Sequence, residues 1–332
     1  MWILRRSFGI GLASLVALFG IACGHDAARS SPAPAATTAA SLSPPAVAPV
    51  DMAPPASQTG GFDGAQAYDY VVKLVGFGPR PPASDNIRRT QAYIGAQLKS
   101  FGCAVDEDDF HASTPIGELS MKNIVAKIPG DGPGILLLLT HYDTARIDGF
   151  VGAEDGGSST GLMLEMARLL CARKKQPNAV WIAFLDGEEA QVSWTDTDSV
   201  YGSRELAARL ALSGDLKRVR AVLLADMIGQ KNLVISRESN STQWLTDLVW
   251  DTADRLGYKS IFESKHTAIE DDHGPFLSRG VPAVDIIDLW GYQEPGYWHT
   301  PQDTLDKLSP RNIAIVGHVI LASVTALQRK FH

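Results

Sequence analysis

The sequence predicts an α/β domain whose central, largely parallel (mixed) β-sheet is flanked by helices. Short apolar runs rich in leucine and β-branched residues recur along the chain, and such runs are typical of strands buried on both faces of a sheet. Longer segments with apolar residues at helical spacing lie between these runs. Strands that alternate with helices favour a mostly parallel sheet covered by helices.

The individual elements follow from local patterns. Apolar spacing indicates a first helix over 62–77, which Gly78 and the prolines after it end. Ser84 is predicted to cap a second helix that runs to about Ser100. The remaining predicted elements are strands at 123–127, 134–140, 179–185, 219–225 and 281–289, and helices at 158–174, 203–212, 241–256 and 310–329.

Composition narrows the class of protein. The 332 residues include 45% hydrophobic and 20% charged residues, which is ordinary for a globular protein. The formal net charge of −7 lacks the positive excess of a nucleic-acid-binding protein, so no nucleic-acid partner is expected. Three cysteines are too few for a disulfide scaffold or a four-cysteine zinc site. A globular enzyme or binding protein remains.

Residues 1–23 are predicted to be a signal peptide. Arg5 and Arg6 precede an apolar run over 8–23, which is the order of a secretory signal and is short for a membrane span. The run ends in Ala22-Cys23, which resembles a bacterial lipobox with a cysteine that becomes lipidated. We expect an extracytoplasmic protein, either secreted or anchored in a bacterial envelope as a lipoprotein through Cys23. Ordinary signal-peptidase cleavage and an uncleaved anchor are the alternatives.

Residues 24–60 are predicted to be a disordered tether. The segment consists mainly of Ala, Pro, Ser and Thr, so it has few large apolar side chains whose burial would offset the entropy of ordering. Its prolines favour an extended chain. The folded domain is therefore expected to comprise residues 61–332, a length compatible with one domain.

Ionisable side chains follow the ends of four predicted strands. Carboxyl ends of parallel strands share one edge of a sheet, and ligands of open α/β sheets bind at that edge. The side chains concerned are His141, Glu188, Glu189, Asp226 and, after a loop, His299.

The residue types at this edge suit a zinc ion. Imidazole nitrogen and carboxylate oxygen are the usual ligands of catalytic zinc, and no thiolate is needed. Glu188 and Glu189 are neighbours, and neighbouring side chains of extended backbone point to opposite sides, so one can bind metal while the other faces substrate. Asp155 opens a Gly-Gly-Ser-Ser turn before a predicted helix.

Each motif also has an ordinary structural interpretation. Alone, Gly187-Glu188-Glu189 is more typical of a solvated turn, and Asp271-Asp272-His273 is more typical of a helix cap. His141 fits a core histidine as well as a ligand. Asp143 and Asp186 are interpreted as turn residues. The shared position of these motifs at one edge of the sheet favours a functional site.

The motifs HYDT, GAEDGGSSTG, FLDGEEA, LADMIG, DDHGPFLSRGVP and WHT, in this order, resemble the zinc-dependent aminopeptidase superfamily. Within it, the chain is most similar to animal-type glutaminyl-peptide cyclotransferases (glutaminyl cyclases), from Phe77 to the C-terminus. The features specific to the cyclotransferases are Trp194, the run Asp198–Arg204, the acidic Asp271-Asp272-His273, and Trp298 directly before His299.

The resemblance implies a reaction and its metal site. An N-terminal glutamine of a peptide or protein would be converted to pyroglutamate with release of ammonia. Asp155, Glu189 and His299 would bind one zinc ion per chain, which would polarise the γ-amide. Glu188 would act as the general acid/base and carry the proton.

The resemblance also assigns the residues around the metal. Asp226 and Asp271 would be acidic catalytic partners that orient the reacting groups. Trp194 and Trp298, which alone fit ordinary packing aromatics, would form walls of the substrate pocket.

The chain departs from the animal enzymes at two places. Thr140 and Thr160 stand where those enzymes have a disulfide beside the site. Cys103 and Cys171 do not match that pair, and the sequence leaves open whether they bond to each other. The loop between Leu289 and Tyr297 also differs.

Two other functions fit parts of the pattern. In a secreted zinc aminopeptidase, His141 and Asp226 would bind a second zinc, Asp155 would bridge the two ions, and Glu188 would activate water. In a tethered binding domain without activity, the metal set would have no catalytic use. The intact set of Asp155, Glu188, Glu189 and His299 argues against this second alternative.

Overall fold

The computed structural model describes residues 51–173, 176–288 and 296–332. Its described strands are β1 (Ala104–Thr114), β2 (Gly117–Ile128), β3 (Ile135–His141), β4 (Ala179–Leu185), β5 (Val219–Asp226), β6 (Ile235–Glu238), β7 (Phe262–Thr267) and β8 (Ala283–Ile287). Its described α-helices are α1 (Gly64–Val75), α2 (Asp85–Ser100), α3 (Ser159–Cys171), α4 (Tyr201–Ser213), α5 (Gln243–Arg255), α6 (Gly274–Leu277) and α7 (Pro310–Lys330).

Six strands form the central sheet in the order β1-β2-β4-β3-β5-β8. The strands β4, β3, β5 and β8 are parallel, whereas β2 runs antiparallel to both β1 and β4. A separate parallel pair joins β6 to β7. The predicted mixed, largely parallel sheet flanked by helices is confirmed.

The core lies on both faces of this sheet. Every residue of β3 and β4 is buried, which explains their continuous apolar sequences. One face packs against α1, α2, α3, α5 and α7, and the other against α4 and α6. Helix α7 is long and apolar enough to span a membrane, but most of its apolar window is buried inside the domain, as in a core helix.

The predicted Ser84 cap of the second helix is confirmed, and the first helix has a cap that was not predicted. The Ser84 hydroxyl accepts a hydrogen bond from the Ile87 amide at the start of α2. Asp63 caps α1 in the same way, through the amides of Ala65 and Gln66. The predicted boundaries that extend to residues 174 and 289 fall outside the described residues.

Strand β1 and the pair β6–β7 were not predicted. The sequence of β1 is AVDEDDFHAST, and only two of its residues are buried because it forms an edge of the sheet. An edge strand with solvent on one side keeps its polar residues, so its sequence shows no apolar run.

The ordered chain begins before the predicted boundary at residue 61. Ala56–Gln58 form a 3₁₀ turn, and Thr59 is fully buried, with its hydroxyl 2.6 Å from the Phe62 carbonyl oxygen. Residues 56–60 are therefore part of the folded chain, although they belong to the segment 24–60 that was predicted to be a tether. The rest of the predicted tether and the predicted signal peptide lie outside the described residues.

Cys103 and Cys171 form a disulfide, which settles the pairing that the sequence left open. The bond joins the chain just after α2 to the last residue of α3, with the two Cα atoms 5.2 Å apart. It therefore ties two helices that pack on the same face of the sheet.

Candidate active site

A cavity of about 450 Å³ opens at the carboxyl edge of the central strands. The ends of β3, β4 and β5 lead to His141, the pair Glu188–Glu189 and Asp226, as predicted. The loop after β8 adds further residues, and the turn before α3 adds one carboxylate. The cavity is lined by, among others, Asp155, Glu188, Glu189, Trp194, Asp226, Asp271, Trp298 and His299.

Asp155, Glu189 and His299 bring one ligand atom each to a common point. The His299 Nε2 atom lies 3.2 Å from Asp155 Oδ2 and 3.1 Å from Glu189 Oε1. The ligand atoms of the three residues all lie within 4.8 Å of one another. Two carboxylates and one imidazole with an open side toward a cavity are a donor set of catalytic zinc, so these residues fit the ion.

The electrostatics of this group favour a positive charge between its carboxylates. Burial and the charge of Asp155 raise the pKa of Glu189 to about 7. Burial alone would lower the pKa of His299, but hydrogen bonds to Asp155 and Glu189 outweigh it and raise that pKa to about 10. Two buried carboxylates therefore face each other across a site that positive charge stabilises.

His141 lies in a ring of carboxylates. It is fully buried, and its Nε2 atom is 3.0 Å from Asp226 Oδ1 and 3.3 Å from Asp155 Oδ1. Its Nδ1 atom is 3.5 Å from Asp143 Oδ1 and 3.8 Å from Glu188 Oε2. His141, Asp155 and Asp226 form a second group of potential metal ligands within 4.8 Å. His141 is therefore a core histidine with polar partners that is also placed to bind a metal.

Glu188 and Glu189 diverge as predicted. Glu188 points toward His141, whereas Glu189 reaches His299. Burial, reinforced by the charges of Glu189 and Asp271, raises the pKa of Glu188 well above its ordinary value, against the opposing charge of His141. A carboxyl group with a raised pKa holds a proton that it has accepted more firmly than an ordinary carboxyl group does.

The two tryptophans lie at the cavity as predicted. The Trp298 ring stacks on the His299 imidazole, with ring centroids 3.7 Å apart and planes 13° apart. Trp194 is 39% exposed at the mouth, where its Nε1 donates to Glu270 Oε2 at 3.3 Å.

Asp271 is buried beside the cavity. Burial and the charge of Asp226 raise its pKa to about 7. His273 lies at the N-cap position of α6, as the cap interpretation predicts, but its side chain makes no capping hydrogen bond. The His273 Nε2 atom instead lies 3.2 Å from Glu238 Oε2.

The family profile for peptidase family M28 matches residues 123–324. The chain belongs to peptidase family M28. The mouse glutaminyl-peptide cyclotransferase-like protein is 33% identical over 282 residues, which span 75% of this chain and 73% of the mouse protein.

Solved structures agree with the family. A glutaminyl cyclase from an Acidobacteriales bacterium has a TM-score of 0.76 at 40% identity and covers 81% of this chain and 96% of its own. A zinc-dependent exopeptidase from Parabacteroides distasonis has a TM-score of 0.74 at 26% identity, with coverages of 79% and 98%. The resemblance inferred from the motifs is confirmed.

Two aspartates that were interpreted as turn residues are fully buried. The two carboxylate oxygens of Asp143 accept hydrogen bonds from the amides of Glu188 and Glu189, at 3.2 and 3.3 Å. Asp186 Oδ2 accepts from the Gln91 amide group and the Lys122 backbone N–H. Both residues lie in loops after strands, as a turn residue would, but the sequence did not show that they are buried or which distant donors their carboxylates receive.

Arg80 and Asp303 support the turn that carries Asp155, and sequence reasoning missed both. Asp303 accepts hydrogen bonds from the backbone N–H groups of Glu154 and Asp155, at 2.8 and 3.0 Å. The fully buried Arg80 guanidinium donates to the carbonyl oxygens of Tyr142, Val151 and Gly152. Glycine is required within the turn, since a Cβ atom at Gly156 would lie 2.8 Å from the Asp143 carbonyl oxygen.

Thr140 and Thr160 converge where the animal enzymes are expected to have a disulfide. Both hydroxyls donate to the His141 carbonyl oxygen, at 3.1 and 2.7 Å. Hydrogen bonds thus connect β3 to α3 beside the site. Of the loop that was predicted to differ from the animal enzymes, residues 289–295 lie outside the described residues.

Proposed function

We propose that this chain is a glutaminyl-peptide cyclotransferase, which converts an N-terminal glutamine to pyroglutamate and releases ammonia. The observation that carries the proposal is the arrangement around one cavity of a buried carboxyl group, a metal-ligand group and two tryptophans. The cyclotransferases and glutaminyl cyclases among its relatives support it.

One zinc ion per chain, held by Asp155, Glu189 and His299, completes this proposal. When bound, zinc supplies a Lewis acid for the γ-carbonyl group of the substrate glutamine. Stacking on Trp298 fixes the plane of the His299 imidazole, and Asp303 fixes the turn of Asp155. The chain therefore holds its ligands in place through neighbours that do not themselves bind the ion.

Glu188 moves the proton in the reaction. The substrate α-amine attacks the γ-carbonyl carbon, a C–N bond forms, and the C–N bond to the amide nitrogen breaks. Glu188 takes the proton that the α-amine loses and returns it to the departing nitrogen, which leaves as ammonia. The attack is intramolecular, so the cavity contributes by holding the glutamine side chain folded toward its own amine.

Asp226, Asp271 and the tryptophans prepare this step. Burial raises the pKa of Glu188 and the charge of Asp271 adds to this effect, which favours the protonated form of Glu188 after it takes the proton. Asp226 accepts from His141 and holds the imidazole beside Glu188. Trp194 and Trp298 bound a cavity that suits a small uncharged amide and limits access of water, which would otherwise compete.

A zinc aminopeptidase is the second candidate. It is favoured by the group His141, Asp155 and Asp226, whose ligand atoms also lie within 4.8 Å of one another and offer a second metal position. In that enzyme Glu188 would activate a water molecule, and free amino acids would be released.

One experiment separates the two enzymes. The purified protein is given peptides that begin with Gln, Leu or Ala, and ammonia, free amino acids and peptide masses are measured. The cyclotransferase releases ammonia from the Gln peptide alone and shortens no peptide. Release of Leu without ammonia from the Gln peptide would contradict the proposal and favour the aminopeptidase. Metal analysis adds an independent measurement, with one zinc expected for the cyclotransferase and two for the aminopeptidase.

We propose an extracytoplasmic location, with N-terminally glutaminyl peptides or proteins as partners. The disulfide Cys103–Cys171 supports it, since such bonds persist mainly in oxidising compartments. If Cys23 carries a lipid, the full-length protein partitions into detergent and the Cys23→Ser variant does not. Equal partitioning of the two proteins would instead indicate simple secretion.

A further inference from the structure

The run Asp198–Arg204 is one of the sequence features typical of the cyclotransferases, yet the proposed reaction gives it no role. The run lies outside the cavity lining and follows the loop of residues 190–197, which leaves the catalytic glutamates and carries Trp194 to the mouth of the cavity. Residues 192–197 are all exposed, so core packing does not fix the position of Trp194. Some other interaction must hold this loop.

The Asp198 carboxylate receives four hydrogen bonds from the loop and its surroundings. Its Oδ1 atom accepts from the Gln191 amide and the Tyr201 hydroxyl, both at 2.8 Å. Its Oδ2 atom accepts from the amides of Val192 and Ser193, at 2.9 and 3.0 Å. Asp198 is only 2% exposed, and these donors outweigh its burial and keep its pKa below the ordinary value. A buried, ionised carboxylate therefore binds three consecutive amides directly before Trp194.

The other residues of the run tie Asp198 to the catalytic backbone. The Val200 amide donates to the Glu188 carbonyl oxygen at 2.8 Å, and the Tyr201 amide donates to the Gly187 carbonyl oxygen at 2.7 Å. Val200 adopts φ 44°, a left-handed conformation that is unfavourable for a β-branched residue. The surrounding structure must therefore hold this backbone in place.

Arg204 completes the attachment on the outer side of the loop. Its guanidinium donates to the carbonyl oxygens of Asp196 and Thr197, at 3.0 and 3.3 Å, and lies over the Tyr201 ring. The loop is thus bound at its amides by Asp198 and at its carbonyl groups by Arg204.

We propose that Asp198 is a positioning residue that sets substrate affinity by holding the Trp194 loop against the cavity. This inference rests on the proposed function and deepens it. Asp198 does not touch the reacting atoms, so its loss acts through Trp194 and weakens binding of the glutaminyl peptide. Chemistry at Glu188 continues at nearly the same rate once substrate is bound.

The test compares Asp198→Ala and Tyr201→Phe with the control Asp196→Asn. Asp196 is an exposed aspartate of the same loop whose carboxylate makes no hydrogen bond or ion pair within the described part of the chain. Asp198→Ala is expected to raise KM for a Gln peptide by about tenfold and to change kcat by less than about threefold. Tyr201→Phe removes a single donor and is expected to raise KM by a smaller factor, and Asp196→Asn leaves both constants unchanged.

A double-mutant cycle identifies the route of the effect. If Asp198 acts through Trp194, Asp198→Ala adds little to the KM of Trp194→Ala. Additive effects, or a fall in kcat at constant KM, would overturn the inference. If Asp198→Ala does not fold, a cycle of Tyr201→Phe with Trp194→Ala tests in the same way whether the effect on KM depends on Trp194.

Acrylamide quenching of Trp194 fluorescence tests the loop without any activity. The Trp194 signal is the difference between each protein and its Trp194→Phe counterpart, and quenching is expected to increase in Asp198→Ala. Unchanged quenching contradicts the positioning role. If the wild type releases no ammonia, the proposed function fails, while this measurement still decides the role of Asp198.

Discussion

The indole ring of Trp298 lies parallel to the imidazole ring of His299, with ring centroids 3.7 Å apart. His299 has a positive φ of 52°, an uncommon conformation for a residue other than glycine. Phe150 contacts the same imidazole edge-on, at a centroid distance of 5.6 Å. A metal-ligand candidate in an unfavourable backbone conformation is therefore held by aromatic rings on two sides.

The stacking predicts a specific effect of Trp298→Ala. The His299 ring loses its support and the cavity loses a wall, so kcat/KM for a Gln peptide is expected to fall by about a hundredfold. Trp298→Phe keeps an aromatic ring on His299 and should lose much less. Ammonia release measures both variants. Equal losses of kcat/KM would show that aromatic stacking on His299 does not contribute to activity.

The adjacent glutamates are expected to separate catalysis from metal binding. Glu188→Gln removes the proton carrier and lowers kcat by about 10²–10⁴-fold, while zinc content stays near that of the wild type. Glu189→Gln removes one of three protein ligands, so the purified protein should contain less zinc. Metal analysis and turnover of both variants check this assignment, and the opposite pattern would invert it.

Asp271 is expected to shift the pH dependence of the reaction. Burial raises the pKa of Glu188, and the charge of Asp271 raises it further. The rate falls at low pH because a protonated Glu188 cannot accept the amine proton. Asp271→Asn removes that charge and lowers the pKa of Glu188, so the acidic limb of the kcat/KM profile moves to lower pH. This shift is expected even if the substitution also lowers the maximal rate. An unmoved limb, matching the exposed control Asp251→Asn, would show that Asp271 does not act on Glu188.

The N-terminal boundary is expected to affect stability rather than activity. A protein that begins at residue 51 keeps the buried Thr59 and its bond to the Phe62 carbonyl oxygen, so it should match the full chain. A protein that begins at Gly61 loses that bond, and the unfolding free energy falls by about 1 kcal/mol, which lowers Tm by about 2–4 °C. Thermal denaturation of both proteins measures the difference. Identical Tm values would mean that residues 51–60 do not stabilise the domain.

Much of the fold was predictable because the local sequence reflects burial. The buried strands β3 and β4 are continuously apolar, and the amphipathic helices have apolar residues at helical spacing. Strand β1 was not predictable, since it forms an edge and carries acidic residues. The predicted start at residue 61 leaves out Thr59 for a related reason. Thr59 is small and polar, and only its tertiary contacts show that it is buried.

The residues that could do chemistry were evident from the sequence itself, because His141, Glu188, Glu189 and Asp226 follow strand ends that must meet at one edge of a parallel sheet. Only the tertiary structure revealed what holds them. Asp303 accepts from amides 149 and 148 residues away, and Arg80 donates to carbonyl groups 62 to 72 residues away. Every residue except proline offers the same backbone N–H and C=O groups, so partners of this kind leave no pattern in the sequence and are decided by the folded chain.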